Sequence, residues 1–513
     1  VAEERLITMK ITARTGSITD AQCDVLIVNL YEGLKEPGGA TAAVDKALDG
    51  IITRELIQLD EFKGKLGSAG ILSTYGKIPA RKVIVVGLGK KENASPNNLR
   101  KAAATALKVA RKLKAEKVCS ILHGAQTTEL NPEICARVLA EASILANYSF
   151  RKYKSEKNPL EDDTQDANNT KKDIQLLEII EMDESKLEAI NHGIADGVII
   201  GEATNFARDL VTEQASVMTP TKMAEMAMSI GLECKVYDQK EIEQMGMNAF
   251  LAVGRGSDEP PKFIHLTYKP DTEPVKKIAV VGKGITFDSG GLDLKPPAGM
   301  LDMKMDMSGA AATLGIMKAV KNLHPRAEIH GIIPACENMP DGKSYKPGDV
   351  LTAKNGKTIE VNNTDAEGRI ILADALSYAV ELKPDQIIDI ATLTGAIIIA
   401  LGKCCAGIMS NNQEFLNNFT DKSHHSGEKV WQLPLFEEYK EFLKSDIADI
   451  TNSGTREAGS SFAATFLQEF VNDIPWIHLD IAGTASSSKE KYELPKGYTG
   501  FGVRSVLYYL MDL

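Results

Sequence analysis

The sequence predicts an α/β protein of two domains, each a central mixed sheet flanked by helices, with a long helix joining them. Three observations carry this expectation. The chain has 513 residues, more than a single hydrophobic core normally serves, so it divides. Short β-branched runs alternate with stretches whose apolar residues recur every three or four positions, which is the pattern of layered strands and helices. The later strands are apolar almost throughout, as strands covered by helices on both faces must be.

In order along the chain, residues 25–30, 71–74, 83–86 and 118–122 read as strands, and 98–113 and 132–146 as helices. Residues 152–172 are almost wholly polar and predict an exposed loop. A strand over 174–180 closes the first domain, residues 1–182. The second domain, 183–513, opens on a helix over 184–211, where Leu187, Ile190, Ile194, Val198 and Ala203 keep helical spacing. Thr219 then caps a helix that has Pro220 in its first turn. Strands follow at 277–282, 327–335, 386–391 and 476–481, and helices at 308–323, 369–382 and 461–471. The apolar run 387–401 contains Asp389, Thr392, Thr394 and Gly395. It is shorter than the roughly 20 residues of a membrane span and reads as a buried strand with its following loop.

Composition narrows the class. Hydrophobic content of 43% and charged content of 25% are those of a globular protein. A net charge of −11 argues against a protein built around nucleic-acid phosphates. Seven cysteines without a CxxC pair fit a reducing compartment. The charged start Val1-Ala-Glu-Glu-Arg5 lacks the apolar run of a secretory peptide, so a cytoplasmic, membrane-free protein is expected.

Three segments of the second domain follow strands and carry hard oxygen donors. They are Gly282-Lys283-Gly284-Ile285-Thr286-Phe287-Asp288-Ser289-Gly290-Gly291 with Lys295 beyond it, Asp302-Met303-Lys304-Met305-Asp306, and Asn363-Thr364-Asp365-Ala366-Glu367-Gly368-Arg369. Neither nucleotide-binding pattern fits. Gly282-Lys283-Gly284 lacks the P-loop Ser or Thr, and Phe287 and Glu92 stand where dinucleotide fingerprints have Gly. Taken singly, Asp306 and Asp365 suit helix starts and Asp288 suits a turn. Taken together, Asp288, Asp306, Asp365 and Glu367 would repel one another unless protons or cations neutralised them, and divalent metals do so economically. A two-metal cluster about 3.5–4 Å apart can hold a bridging hydroxide and polarise a carbonyl, which suits amide hydrolysis. Lys283 is a ligand only as a neutral amine; otherwise it is a counter-charge. The eight histidines show no HExxH spacing, and His424-His425 reads as part of a polar loop. Cys404 and Cys405 read as buried small apolar residues.

On these residues the sequence resembles the leucyl aminopeptidases of the M17 metallopeptidase family, also called cytosol aminopeptidases. The string from Asn363 to Arg369 matches the family signature almost to its end. Asp389-Ile390-Ala391-Thr392-Leu393-Thr394-Gly395-Ala396, His478-Leu479-Asp480-Ile481-Ala482-Gly483 and Lys496-Gly497-Tyr498-Thr499-Gly500-Phe501-Gly502-Val503-Arg504 extend the likeness across the second domain. The first domain resembles the family more loosely, in an assembly or regulatory part.

The resemblance implies a tighter metal site of Lys283, Asp288, Asp306 and Glu367, and a more exchangeable one of Asp288, Asp365 and Glu367. The ions would be Zn or Mn, with Mg or Co as options. Lys295 would stabilise the oxyanion, and Arg369 would hold a bicarbonate serving as general base. Met303, Thr392, Gly395, Ala482 and Ala485 would line a slot for Leu-like or Met-like side chains. The implied activity is removal of N-terminal residues from short peptides, with the free α-amino group as a metal ligand, in a homohexamer. The same scaffold leaves a Cys-Gly dipeptidase or a DNA-binding regulator as alternatives. Two departures from the family pattern are Ser308 before Gly309, where many members have two glycines, and Val211-Thr212-Glu213-Gln214-Ala215-Ser216, which lacks the usual Asn and Pro.

Overall fold

The computed structural model describes residues 9–59, 62–124, 130–154, 173–454 and 456–513. The charged start and most of the polar stretch expected over 152–172 lie outside the described residues. The chain forms two compact units, which part between Glu202 and Ala203 inside the helix Leu187–Thr212; residues 489–495 belong to the first unit. Among the described residues no helix is long and apolar enough to cross a membrane.

The first unit is built on six strands, β1 (Lys10–Thr15), β2 (Val25–Leu30), β3 (Ala69–Ser73), β4 (Lys82–Gly87), β5 (Lys117–Ile121) and β6 (Leu176–Glu181), in the order β1-β6-β5-β2-β4-β3. All neighbours are parallel except β3 and β4. Side-chain alternation explains why the strands are apolar throughout. In β2, Val25 and Ile27 enter the core on one face and Leu26, Val28 and Leu30 the core on the other. In β4, Ile84 and Val86 divide from Val83 and Val85 in the same way. The helices Pro96–Lys112 and Pro132–Ala146 cover one face, each opened by a capping side chain, Ser95 or Asn131, followed by Pro at the first turn.

The second unit has the larger sheet. Its strands are β7 (Glu233–Tyr237), β8 (Lys262–Tyr268), β9 (Lys277–Gly282), β10 (Gly284–Asp288), β11 (Glu328–Asn338), β12 (Val350–Thr352), β13 (Thr358–Glu360), β14 (Gln386–Ala391), β15 (Ala406–Ser410), β16 (Val430–Gln432), β17 (Ile450–Thr451) and β18 (Trp476–Asp480). The main order is β16-β15-β18-β14-β9-β11-β8-β7, with β10 beside β11, while β12, β13 and β17 form a small separate sheet. The pairs β18/β14, β14/β9, β9/β11 and β10/β11 are parallel, and β10 continues the line of β9 along β11, so the ends of these strands point to one side of the sheet. The helices Glu367–Glu381 and Gly459–Gln468 share a core with one face of this sheet, through Ala279, Val281, Ile332 and Trp476. The helix Ser308–Leu323 lies against the sheet where strand glycines admit it: a Cβ on Gly282 would sit 2.5 Å from Gly309 O, and one on Gly331 2.6 Å from Met317 Cγ.

Thr219 accepts from Lys222 N and caps Pro220–Ser229 as expected. Three expectations need correction. The tail of the 387–401 run is a short helix, Ala396–Leu401, which Gly395 opens and Gly402 ends at a positive φ, so tertiary context overrides the strand preference of its three isoleucines. His424 and His425 lie on the helix Gln413–Ser426, capped by Asn412 and ended by left-handed Gly427, although both are exposed. Cys404 is exposed and Cys405 half-buried, both in the short connection between the helix Ala396–Leu401 and β15 and not within a packed element.

Candidate metal centre

The ends of β9, β10 and β14 carry Lys283, Asp288 and Thr392, the usual position of a site in an open α/β sheet, and the segment from β13 to the helix Glu367–Glu381 brings Asp365 and Glu367. Lys283 sits at the break between β9 and β10. Its amide donates to Ile390 O on β14, and its carbonyl accepts from Ala310 N of the 308–323 helix. The flanking glycines are required there, because Cβ atoms on Gly282 and Gly284 would meet Gly309 O at 2.5 Å and Pro334 O at 2.7 Å. So placed, the Lys283 ammonium meets Asp306 Oδ1 at 2.8 Å and Oδ2 at 2.7 Å, Glu367 Oε1 at 2.8 Å and Thr392 O at 3.1 Å.

Asp288 ends β10. Its Oδ1 accepts from Gly290 N at 2.9 Å and Asn338 Nδ2 at 2.8 Å, and its Oδ2 pairs with Lys295 Nζ at 2.8 Å. Lys295 also pairs with Asp365. Asp306 accepts a further hydrogen bond from Thr392 Oγ1 at 2.8 Å. Glu367 is the first residue of its helix and is 1% exposed. Ligand atoms of Asp288, Asp365 and Glu367 all lie within 4.8 Å of one another.

Four carboxylates against two ammonium groups leave an excess of negative charge in a buried place. Burial raises Asp288 to about 6, with Glu367 pushing the same way and Lys295 and Lys283 opposing. Burial also raises Asp306 and Asp365. Burial would raise Glu367 as well, but Lys283 and Lys295 more than reverse it and hold it low. For Lys283, burial favours the neutral amine, yet Asp306, Glu367 and Asp288 outweigh that and keep it an ammonium. Glu367 Oε2 is buried and has no hydrogen-bonding partner, an unmet acceptor beside two further carboxylates. That is the demand a cation satisfies.

Arg369 is buried two residues beyond Glu367, with Nη1 on Asn452 O at 2.7 Å and its plane over the Phe462 ring at 5.3 Å. Burial lowers it to about 10, with Glu367 and Asp480 resisting. Of the expected apolar slot, Thr392 touches the cluster directly. Asp480 Oδ1 takes the amides of Leu393 and Ala482, which ties Ala482 to the loop bearing Thr392 and Gly395. Met303 is half-buried in the turn that carries Asp306, and Ala485 is buried, its carbonyl accepting from Thr499 N. No described contact joins these last two to the others.

Sequence reasoning assigned no role to Asn338, Asp480, Thr364 or Asn452, all fully or nearly fully buried. Asn452 accepts from the amides of Asn362 and Asn363 and so grips the loop bearing Asp365. The available signal was positional: Asn338 and Asp480 are polar residues at the ends of strands that the pattern had largely located. A second acidic group in the first unit, Glu133, His192 and Asp196, is neutralised by Arg137 at 3.1 Å from Glu133 and 3.4 Å from Asp196.

Comparison with known proteins agrees with this geometry. Residues 205–507 match the catalytic-domain model of the cytosol aminopeptidase family, and residues 27–157 its N-terminal-domain model. The chain is 43% identical over 507 residues to a probable cytosol aminopeptidase of Alkaliphilus oremlandii, covering 98% of this chain and 99% of that one. It is 45% identical over 515 residues to one of Aquifex aeolicus, with coverage of 98% and 99%. Among solved structures, a tomato leucine aminopeptidase mutant is similar with TM-score 0.85 at 32% identity, covering 98% of this chain and 97% of that one. The bottromycin maturation enzyme BotP in complex with Mn is similar with TM-score 0.82 at 32% identity, covering 95% and 99%. The chain therefore belongs to the cytosol aminopeptidase family and is a metallo-exopeptidase, its lysine and carboxylate cluster lying in the part matched as the catalytic domain.

Proposed function

We infer that the chain is a two-metal aminopeptidase that removes Leu-like or Met-like residues from the N-termini of short peptides. The observation that carries this reading is the unpartnered Glu367 Oε2, buried among acids whose ligand atoms lie within 4.8 Å of one another. Asp288, Asp306 and Glu367 would hold one ion, joined by Lys283 once bound cations take over the charge of the carboxylates that keep it an ammonium and its proton leaves, and Asp288, Asp365 and Glu367 would hold the other, with Asp288 and Glu367 shared. Hard oxygen donors and one amine suit Mn or Zn, and the Mn complex of BotP favours Mn first. Such ions, when bound, polarise the scissile carbonyl and lower the pKa of water.

The chain's own groups supply the rest. Lys295 stays cationic, because Asp288 and Glu367 outweigh the burial that favours the neutral amine. Beside Asp288 and Asp365, it would supply positive charge to a developing oxyanion. Arg369, held by Asn452 and Phe462, would hold a bicarbonate through its guanidinium, and that anion would supply a general base beside the cluster. Met303, Thr392, Gly395, Ala482 and Ala485 would line a slot for an aliphatic side chain, a reading supported by Thr392 at the cluster and by Asp480, which ties Ala482 to the same loop. A homohexamer in the cytoplasm is part of the same reading.

The test is hydrolysis of a leucine chromogenic amide by chelator-treated enzyme re-supplied with single metals. Recovery with Mn²⁺ or Zn²⁺ is expected. No recovery with any divalent ion would overturn the reading.

A further inference from the structure

We propose that Asn338 is a positioning residue that aims the shared carboxylate Asp288 for cation binding, an inference that rests on the two-metal reading above. Asn338 ends β11 directly beside Asp288 at the end of β10, its register partner. It is fully buried. Its Nδ2 donates to Asp288 Oδ1 at 2.8 Å and to Thr364 O at 3.0 Å. Both partners are pure acceptors, so the amide nitrogen must face them and the orientation of the side chain is fixed. Its main-chain carbonyl accepts from Ser289 N at 3.0 Å and Ser289 Oγ at 2.7 Å, which locks the backbone.

That orientation has a cost. Asn338 Oδ1 is buried without a hydrogen-bonding partner, and it faces Gly291, where a Cβ would come within 2.8 Å. An apolar side chain at 338 would leave nothing unmet, so the amide's contribution lies in its two donors. One of these is on a candidate metal ligand. With Gly290 N on the same oxygen, Asp288 Oδ1 is pinned by two neutral donors, while the Lys295 ammonium holds Oδ2, so the Oδ1 donors orient the carboxylate without adding further positive charge against a cation. The second donor ties this arrangement to Thr364, next to Asp365. Tyr345 Oη also donates to Thr364 O, at 2.7 Å, but no described hydrogen bond joins it to Asp288. The two effects are therefore separable.

The experiment uses full-length, chelator-stripped protein. Mn²⁺ is titrated by calorimetry, kcat and KM are measured at saturating Mn²⁺ on a leucine amide, and the Tm of the metal-free form is recorded. Asn338→Ala should weaken Mn²⁺ binding by about 10- to 100-fold and lower kcat with little change in KM. Tyr345→Phe should leave Mn²⁺ affinity at the wild-type value. Asn338→Leu, which fills the same space without donors, should repeat the alanine result and serves where an alanine cavity prevents folding. Wild-type Mn²⁺ affinity in the Asn338 variants, with only the metal-free Tm lowered, would reduce the residue to a structural part and overturn the proposal. So would an equal loss in Tyr345→Phe, which would assign the effect to the Thr364 tie. A wild-type protein that takes up no Mn²⁺ would overturn the two-metal reading and this proposal with it.

Discussion

At the scale of single residues, the cluster works by mutual constraint among charges that no one of them sustains alone. Asp288→Ala or Glu367→Ala removes a shared ligand and should abolish turnover of a leucine amide while the protein still folds, checked by its circular dichroism. Lys295→Ala should leave metal content intact and lower kcat by about 10²–10³-fold, the usual cost of losing one oxyanion partner. Protons and metal ions compete for the same oxygens. Asp288 is raised to about 6, and Asp306 and Asp365 are raised too. Mn²⁺ affinity should therefore fall as pH is lowered from about 7.5 to 5.5, with protons released on binding, as calorimetry in buffers of different ionisation enthalpy would read. Lys283, Asp288, Asp306, Asp365 and Glu367 were legible in the sequence because they cluster at strand ends and helix starts. Asn338 and Asp480 were not, because an Asn or Asp at a strand end means little until its partner, distant in sequence, is placed beside it.

At the scale of elements, the site depends on how closely the helix Ser308–Leu323 approaches the sheet. A Cβ on Gly309 would collide with the carbonyl oxygen of Ile390, and neither that backbone nor the Lys283 amide 3.0 Å away can give. Gly309→Ala should push the start of this helix off the sheet, displace Asp306 just before it, and cost more than about 2 kcal/mol in denaturant unfolding. Gly299→Ala, whose nearest neighbour would be Pro296 Cγ at 3.7 Å, should be close to neutral. Elements with strong periodicity were predicted within a few residues, and 25–30, 132–146, 277–282, 308–323 and 386–391 were matched at both ends. Edge strands such as β7 and β16 went unpredicted. They carry exposed residues, including Glu233 and Trp431, so they lack the apolar continuity of the central strands.

At the scale of the whole molecule, acid stability offers a test that is independent of metals. His123 of the first unit is buried, with Asn29 Nδ2 at 3.0 Å from Nδ1, and burial depresses it to about 4. Its folded pKa lies below the unfolded value of about 6.5. The stability it contributes is present above that value and is lost as pH falls from 6.5 towards 4. His123→Gln should flatten the stability-against-pH curve by up to about 3 kcal/mol over this window, measured by denaturant unfolding of wild type and variant in parallel. The sequence by itself determined the two-domain α/β class, most central strands and helices, and the identity of the acids and lysines, because these follow from periodicity and residue chemistry along the chain. Only the tertiary structure decided that Lys283 meets Asp306 and Glu367 at once, that Glu367 keeps an oxygen unmet, and that Asn338 reaches Asp288. Those contacts join strand ends and helix starts up to 84 residues apart, between Lys283 and Glu367. A local pattern carries no record of which parallel strands the sheet will set side by side.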